Sequence, residues 1–273
     1  IQKAADNPHI LGIYLEAGGL TASPASLEEI RNALIRFKQT GKFVIAYGDN
    51  YTLADYYVSS AADKVILNPQ GILEWHGLVS QTIYFKDLLA LAGIEMEVFK
   101  VGTYKSAVEP YTSMEMSDEN REQITAYTSS IWNTMVEGVS LSRNLTAEQL
   151  NQYADEYITF SGAETILKAG LVDTLLYMDG TKAYLKQLMG TEEDDQLEVL
   201  TLDEVKNIQK NVPLDKSGNI IAVYYAFGGI DDGTSPEEGI NSEKVITDLR
   251  KLREDETIKA VVLRVNSPGG SAY

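Results

Sequence analysis

The sequence has 273 residues, of which 44% are apolar and 23% charged, and a formal net charge of -17. This composition is typical of a globular protein with a real core, and the acidic balance argues against nucleic-acid partners, which bind phosphates through clustered Lys and Arg. It contains no cysteine, which excludes disulfides, thiolate metal sites and a Cys nucleophile, and any Ser-His-Asp arrangement would depend on His9 or His76.

Strands and helices alternate through the first hundred residues. Residues 9–16 read as a buried strand, and the capping-box pattern at Ser26 predicts a helix that Gly41 ends. Residues 42–47 form the next strand, which completes a parallel strand–helix–strand unit. The alternation is expected to continue with a helix over 51–61, a strand over 64–67, a helix over 81–91 and a strand over 94–100.

Packing helices are predicted after this region, and a further strand follows them. Ser117 begins a long amphipathic helix that ends at about residue 141, and shorter helices follow capping patterns headed by Thr146 and Ser161. Residues 219–227 then restart the strand pattern.

The two ends of the chain align with each other. Residues 10–17 fall on residues 258–265, and each segment is an apolar strand with an amphipathic helix before it and a turn of small residues after it. Few of the compared positions are identical, so a chance match is the competing explanation. An acidic run at 191–195 marks a boundary. We therefore expect an N-terminal repeat over 1–190, a linker over 191–218 and the truncated beginning of a second repeat over 219–273.

Gly269 and Gly270 lie in a turn directly behind the predicted strand that ends at Val265. Pro268 fixes one backbone angle of this turn, and paired glycines bring bare backbone N–H groups within range of a ligand oxygen. Such a turn can hold an oxyanion. An ordinary strand-to-helix turn is the commoner explanation for this short string by itself.

Lys105 lies in a loop between a predicted strand and the long helix. A lysine acts as a general base only when it is neutral, and apolar surroundings favour the neutral form. The alternative is a surface lysine paired with Glu109 four residues later. Composition alone favours that alternative.

Residues 100–117 and 262–271 together resemble the signal peptide peptidase A family, also called protease IV, in its long form with two tandem repeats. The resemblance includes residues 56–64 and extends over nearly the whole chain. It implies an α/β fold of the Clp-protease/crotonase type, a spiral of ββα units. The chain would then hold one nearly complete repeat and the start of a second.

The resemblance also implies a Ser/Lys dyad divided between the repeats. Lys105 matches the general base of the family, and Gly270 matches the residue whose backbone N–H binds the oxyanion, while Gly269 serves the turn. Ser271 does not match the nucleophile. The family's nucleophilic serine lies in an Ala-Ala-Ser-Gly-Gly stretch further along, which this chain does not contain.

The first repeat lacks a nucleophile of its own in this alignment. Leu53 stands at the position of the serine, and Ala54 and Asp55 stand at the positions of the two glycines after it. Residues 20–22 replace the glycine turn. The first repeat has therefore kept the base and lost the other two parts of the site.

The family resemblance implies a membrane-associated serine endopeptidase that degrades cleaved signal peptides. It implies a homo-oligomer on the extracytoplasmic (periplasmic) face of the inner membrane, and we expect no metal, no cofactor and no nucleic-acid partner. No apolar run approaches the ~20 residues that span a bilayer, so any anchor is expected outside this stretch. The chain alone is expected to be inactive. Two alternatives remain: a crotonase-type acyl-CoA hydratase or isomerase, and a non-catalytic scaffold repeat.

Overall fold

The computed structural model describes residues 1–192, 194–208, 218–231 and 239–270. The chain divides into two compact units, residues 1–208 and 209–273. The division falls within the linker predicted over 191–218, of which residues 193 and 209–217 lie outside the described residues. The assignment of one repeat to each side of this linker stays a prediction.

A parallel sheet of four strands organises the first unit. It contains β1 (Gly12–Glu16), β2 (Phe43–Tyr51), β3 (Lys64–Leu73) and β4 (Thr174–Leu175), in this spatial order, and each neighbouring pair is parallel. Parallel neighbours need crossover connections, and helices supply them here. The α/β class predicted from the sequence is therefore confirmed, and the architecture is consistent with a Clp/crotonase-like fold.

Helices connect the strands and cover the sheet of the first unit. They are α1 (Gln2–Asp6), α2 (Pro24–Lys38), α3 (Leu53–Ser59), α4 (Lys86–Leu91), α5 (Glu109–Thr112), α6 (Asp118–Arg143), α7 (Ala147–Asp155), α8 (Ala163–Lys168), α9 (Met178–Met189) and α10 (Leu202–Asn207), with a 3-10 turn at Ile158–Phe160. In the described part of the chain, no helix has both the length and the apolar character that crossing a bilayer requires.

Several helices start at side-chain caps, although two of the predicted starts differ from those in the structure. Ser117 caps α6 and Thr146 caps α7 with a full capping box, as predicted. Helix α2 begins one turn before the predicted start, because Ser23 is its N-cap and the Ser26 N–H donates to the Ser23 hydroxyl at 3.3 Å. Before α8 the capping position belongs to Gly162 rather than to Ser161.

The predicted strand over 94–100 is wrong. These residues form neither strand nor helix, and their apolar side chains Ile94, Met96 and Phe99 are exposed. A strand is stable only when a neighbour satisfies its backbone groups, and no described strand pairs with this segment. The preceding helix is also shorter than predicted, since only residues 86–91 are helical.

Buried aromatic residues form the centre of the first unit. Tyr51, Tyr56 and Trp75 are fully buried, and the Tyr56 ring meets Trp75 edge-on with centroids 5.7 Å apart. Their polar atoms are satisfied by backbone carbonyls: the Trp75 indole donates to Leu150 at 2.8 Å, and the Tyr56 hydroxyl donates to Leu171 at 2.7 Å. These side chains therefore join β2, α3 and the α7–α8 region into one core.

Arg31 joins α2, α3 and α6 from inside this core. It is 2% exposed, and its guanidinium donates to Tyr57 O and Ser60 Oγ, each at 2.8 Å, and also to Gly138 O and Ser142 Oγ. Burial lowers the pKa of Arg31, and the neighbouring tyrosines oppose this effect.

Replacing Arg31 by alanine is expected to lower the free energy of unfolding by about 3 kcal/mol, because buried acceptors lose a charged donor and a cavity remains. Lysine should not restore stability, since one ammonium cannot replace the forked guanidinium. Urea unfolding of the chain measures the effect. Arg36→Ala, an exposed change on the same helix, should cost less than about 0.5 kcal/mol; equal losses for the two variants would contradict this account.

Arg143 and Asp173 tie the end of α6 to the sheet. The pair is bidentate, with both N···O distances at 2.8 Å, and Asp173 Oδ2 also accepts from the Val65 N–H of β3 at 2.7 Å. Burial by itself raises the pKa of Asp173, but the hydrogen bonds from Arg143 and Val65 outweigh it and hold this pKa below its ordinary value.

We expect the stabilisation by Asp173 to be lost in acid. Because the native pKa is lower than the unfolded one, the contribution is present above about pH 4 and disappears as the pH falls through the native pKa. The difference in unfolding free energy between the wild type and Asp173→Asn should therefore be largest at neutral pH and should shrink below about pH 4. A difference that does not change with pH would show that the carboxylate charge is not involved.

The described residues of the second unit form two pairs of parallel strands. Strand β5 (Ile220–Phe227) pairs with β8 (Ile258–Asn266), and β6 (Ile230–Asp231) pairs with β7 (Ile240–Asn241), while α11 (Ser242–Glu254) precedes β8. The strand predicted over 219–227 is thus confirmed. The order of helix followed by strand, which was predicted for both ends of the chain, is present at α1–β1 and at α11–β8.

Candidate active site

Lys105 lies in an exposed loop that precedes α5. The loop turns at Gly102, whose φ of 105 requires glycine, and the Lys105 N–H donates to Gly102 O at 3.3 Å. Lys100 Nζ donates to the Lys105 carbonyl at 3.3 Å. The Lys105 side chain itself is exposed, and no described residue makes a hydrogen bond or ion pair with its amine. The first unit therefore holds the backbone of the loop while the amine stays in solvent.

The surface pair between Lys105 and Glu109 is not among the ion pairs of the described residues. Glu109 is 4% exposed, and its carboxylate accepts from Ser117 Oγ at 2.5 Å, from Asn120 Nδ2 at 2.9 Å and from Ser117 N–H at 3.4 Å. The Ser117 hydroxyl contributes most to lowering the pKa of Glu109; burial raises this pKa, and Asn120, the Ser117 N–H and the Lys100 charge lower it further. Glu109 is therefore an anchored, ionised carboxylate.

Three further contacts secure the segments on both sides of Lys105. The Tyr104 hydroxyl donates to Glu122 on α6 at 3.0 Å. The Phe85 N–H donates to Pro110 O at 2.6 Å, and the Phe85 and Tyr111 rings stack with centroids 6.1 Å apart. The segment before Lys105 is thus connected to α6, and the segment after it is connected to the start of α4.

The glycine turn after β8 gives its two glycines different surroundings. The Gly269 N–H donates to Ser267 Oγ at 3.1 Å, and its carbonyl accepts from the Ile230 N–H at 2.9 Å. Gly270 forms an isolated parallel bridge with Ile230, and a Cβ on Gly270 would lie 2.0 Å from Ile230 O. Only glycine fits there. No described residue accepts the Gly270 N–H, whereas the Gly269 N–H is already bonded.

This pattern agrees with an oxyanion donor at Gly270 and a turn residue at Gly269, although these roles stay predictions. Lys105 belongs to the first unit, and Gly269 and Gly270 belong to the second. Ser271 lies outside the described residues. Among the described residues, no three His, Cys, Asp or Glu side chains are grouped so that they could hold a metal ion.

Asp55 binds the turn after β1, the segment that the predicted repeat aligns with the glycine turn. Its buried carboxylate, 5% exposed, accepts from the Gly19 N–H at 3.1 Å and from the Leu20 N–H at 3.0 Å, directly after β1. It also accepts from Thr52 Oγ1 at 2.6 Å, within the capping box of α3. The neighbouring Leu53 is packed in the core.

Sequence reasoning missed the roles of Asp55 and Glu109. The Thr52…Asp55 spacing is that of a capping box and could have placed Asp55 at the start of α3, but its bonds to the turn after β1 depend on tertiary structure. For Glu109 the spacing of four from Lys105 was misleading. Helix α5 begins at Glu109, so Lys105 is not on the same helix.

Comparison with known proteins places these residues in context. The model of Peptidase family S49 matches residues 36–192, a range that includes Lys105 and Glu109 and ends before the glycine turn.

Three relatives match over almost the full chain. Protease 4 of Haemophilus influenzae is 36% identical, with 100% of the chain and 46% of that protein covered. Protease 4 of Salmonella typhi is 36% identical over 99% of the chain and 44% of that protein. The chloroplastic serine protease SPPA of Arabidopsis thaliana is 29% identical over 99% of the chain and 40% of that protein. The chain thus spans less than half the length of these relatives, and because the family model covers more than half of the chain, the chain belongs to peptidase family S49.

Proposed function

We propose that the complete protein is a serine endopeptidase with a Ser/Lys dyad, in which Lys105 is the general base and the nucleophilic serine lies outside residues 1–273. The observation that carries this proposal is the S49 family match across the anchored loop that presents Lys105. No described residue accepts the Gly270 N–H, and only glycine fits at this position, which supports an oxyanion-binding role for this N–H.

In the proposed reaction, neutral Lys105 takes the proton of the serine hydroxyl while the serine oxygen attacks a peptide carbonyl. The Gly270 N–H donates to the resulting oxyanion. Lys105 then gives its proton to the leaving amine, and water hydrolyses the acyl-enzyme by the same route. Since an ammonium group cannot accept a proton, the assembled site has to shield Lys105 from water more than the first unit does.

The substrates we propose are cleaved signal peptides. Their apolar cores suit an apolar groove, and an extended peptide can bind by adding a strand to a sheet edge. We further propose that the complete protein is a homo-oligomer on the extracytoplasmic (periplasmic) face of the inner membrane, attached by an anchor outside residues 1–273. The family resemblance supports the proposed substrate, the homo-oligomer and the membrane location.

Two preparations test the proposal: the complete protein and residues 1–273 alone, each incubated with a synthetic signal peptide and with a fluorophosphonate probe. The complete protein should cleave the peptide and be labelled, and the chain alone should do neither. Labelling of the chain alone would locate a reactive serine within it and contradict the divided dyad. An unreactive complete protein would favour the scaffold alternative, and turnover of an acyl-CoA thioester would favour the hydratase or isomerase alternative.

A further inference from the structure

A buried acidic residue lies four positions after the exposed Lys105. Glu109 is 4% exposed, whereas Lys105 is exposed. Burying a carboxylate is costly unless hydrogen bonds satisfy it, and three donors from Ser117 and Asn120 do so here. An ionised group held in this way fixes the position of the backbone that carries it.

The donors to Glu109 belong to the start of the longest helix of the unit. Ser117 is the N-cap of α6: its oxygen accepts from the Asn120 N–H at 3.2 Å, while its hydroxyl proton is donated to Glu109. Asn120 is itself 6% exposed. Further along α6, Met135, Val136 and Val139 are buried in the core. Glu109 thus connects the Lys105 loop to an element that the core holds rigidly.

Two backbone hydrogen bonds connect Glu109 to the residues on either side of Lys105. The Glu109 N–H donates to Ser106 O at 3.0 Å, and the Ser106 N–H donates to Tyr104 O at 3.1 Å. On the other side of Lys105, the tie from Tyr104 to Glu122 is an exposed hydrogen bond, of a kind that contributes little. Of these two side-chain contacts with α6, the one made by Glu109 is buried.

We propose that Glu109 is a positioning residue for catalysis by Lys105: its buried carboxylate holds the loop of residues 102–108 on the N-terminus of α6 and so determines where the amine is presented. The inference deepens the proposed function and rests on it. Glu109 takes no part in proton transfer. Its loss changes the alignment of the base with the serine, a geometry to which reaction rates are very sensitive.

The test is Glu109→Gln in the complete protein, assayed on a synthetic signal peptide. Glutamine keeps the size of the side chain but turns an amide NH2 towards groups that are all donors, so part of the anchor is lost. We expect kcat to fall about 10- to 100-fold with KM within about twofold of the wild type. Glu115→Gln is the matched control, because it makes the same change on an exposed carboxylate between α5 and α6, and both constants should stay unchanged.

Ser117→Ala and the double variant Glu109→Gln/Ser117→Ala extend the test. If both side chains act through one contact, the double variant should lose no more kcat than the more damaging single variant. Asn120→Ala serves if Glu109→Gln does not fold, and it should show a smaller fall in kcat at unchanged KM.

The positioning role is overturned if Glu109→Gln turns over within twofold of the wild type, if only KM changes, or if the loss matches the fraction of unfolded protein measured by circular dichroism. Lys105→Ala is assayed in parallel. An inactive Lys105→Ala with a normal Glu109→Gln rejects the positioning role alone, whereas an active Lys105→Ala rejects the proposed function and the positioning role together.

Discussion

Lys105→Ala in the complete protein should reduce peptide hydrolysis by about 10²- to 10⁴-fold, the usual contribution of a general base. The fold should not change, because the Lys105 side chain is exposed and its amine makes no bond to a described residue. The loop is held by the Lys105 backbone and by Glu109, which the substitution leaves in place. The measurement is kcat on a synthetic signal peptide together with the circular dichroism spectrum.

Two control variants test whether Lys105 acts as a base or only through its positive charge. Lys105→Arg keeps the charge but cannot lose its proton near neutral pH, so it should be as inactive as the alanine variant. Lys86→Ala removes another exposed lysine, at the start of α4, and should leave turnover unchanged. Near-normal turnover by either Lys105 variant would show that Lys105 is not the general base.

Gly270→Ala should lower kcat by about 10²- to 10³-fold, which is the typical effect of losing one oxyanion donor. The new methyl group would lie 2.0 Å from Ile230 O and 2.7 Å from Ile230 N, both of them backbone atoms, so the turn itself has to move. Its N–H would then no longer point to the position that it occupies in the native turn. Steady-state kinetics of the complete protein measure the effect.

Gly229→Ala is the matched control for this prediction. Gly229 lies in the same corner of the second unit, yet a Cβ there would meet its nearest neighbour, Gly269 O, at 3.9 Å, an ordinary contact. Its kcat should therefore stay close to that of the wild type. Equal activity of the two alanine variants would mean that the Gly270 N–H does not bind the oxyanion.

Local patterns predicted the elements whose partners are near in sequence. The capping residues Ser117 and Thr146 and the alternation through β1, α2, β2 and β3 were recognisable because caps and apolar periods act over a few residues. Strand β3 is longer than predicted: it continues past Pro69 to Leu73, which pairs with Tyr51 after a register shift between Gly48 and Asn50. That pairing depends on the neighbouring strand and not on the local pattern.

The candidate site was predicted only in part, for the same reason. Family resemblance identified Lys105, Gly269 and Gly270, and the structure describes each of them within its own unit. The apolar pattern over 94–100 is that of a strand, but a period of two does not show whether a neighbouring strand is present to pair with it. The predicted strand was wrong for this reason. The sequence did not predict the partners of Glu109 and Asp55. Ser117 was assigned only the role of capping α6, and nothing near Gly19 in the sequence indicated that a carboxylate would bind its N–H.

The carboxylate of Asp55 limits what a serine at position 53 could do. Its negative charge already occupies the backbone donors of Gly19 and Leu20. A serine placed at position 53 would form a tetrahedral intermediate whose charge meets the carboxylate of Asp55, so this single substitution does not create a working centre. Two coupled changes, at positions 53 and 55, are needed, and the second would remove the capping box of α3. For the two predicted repeats, this means that one substitution does not give the first repeat a catalytic centre of its own.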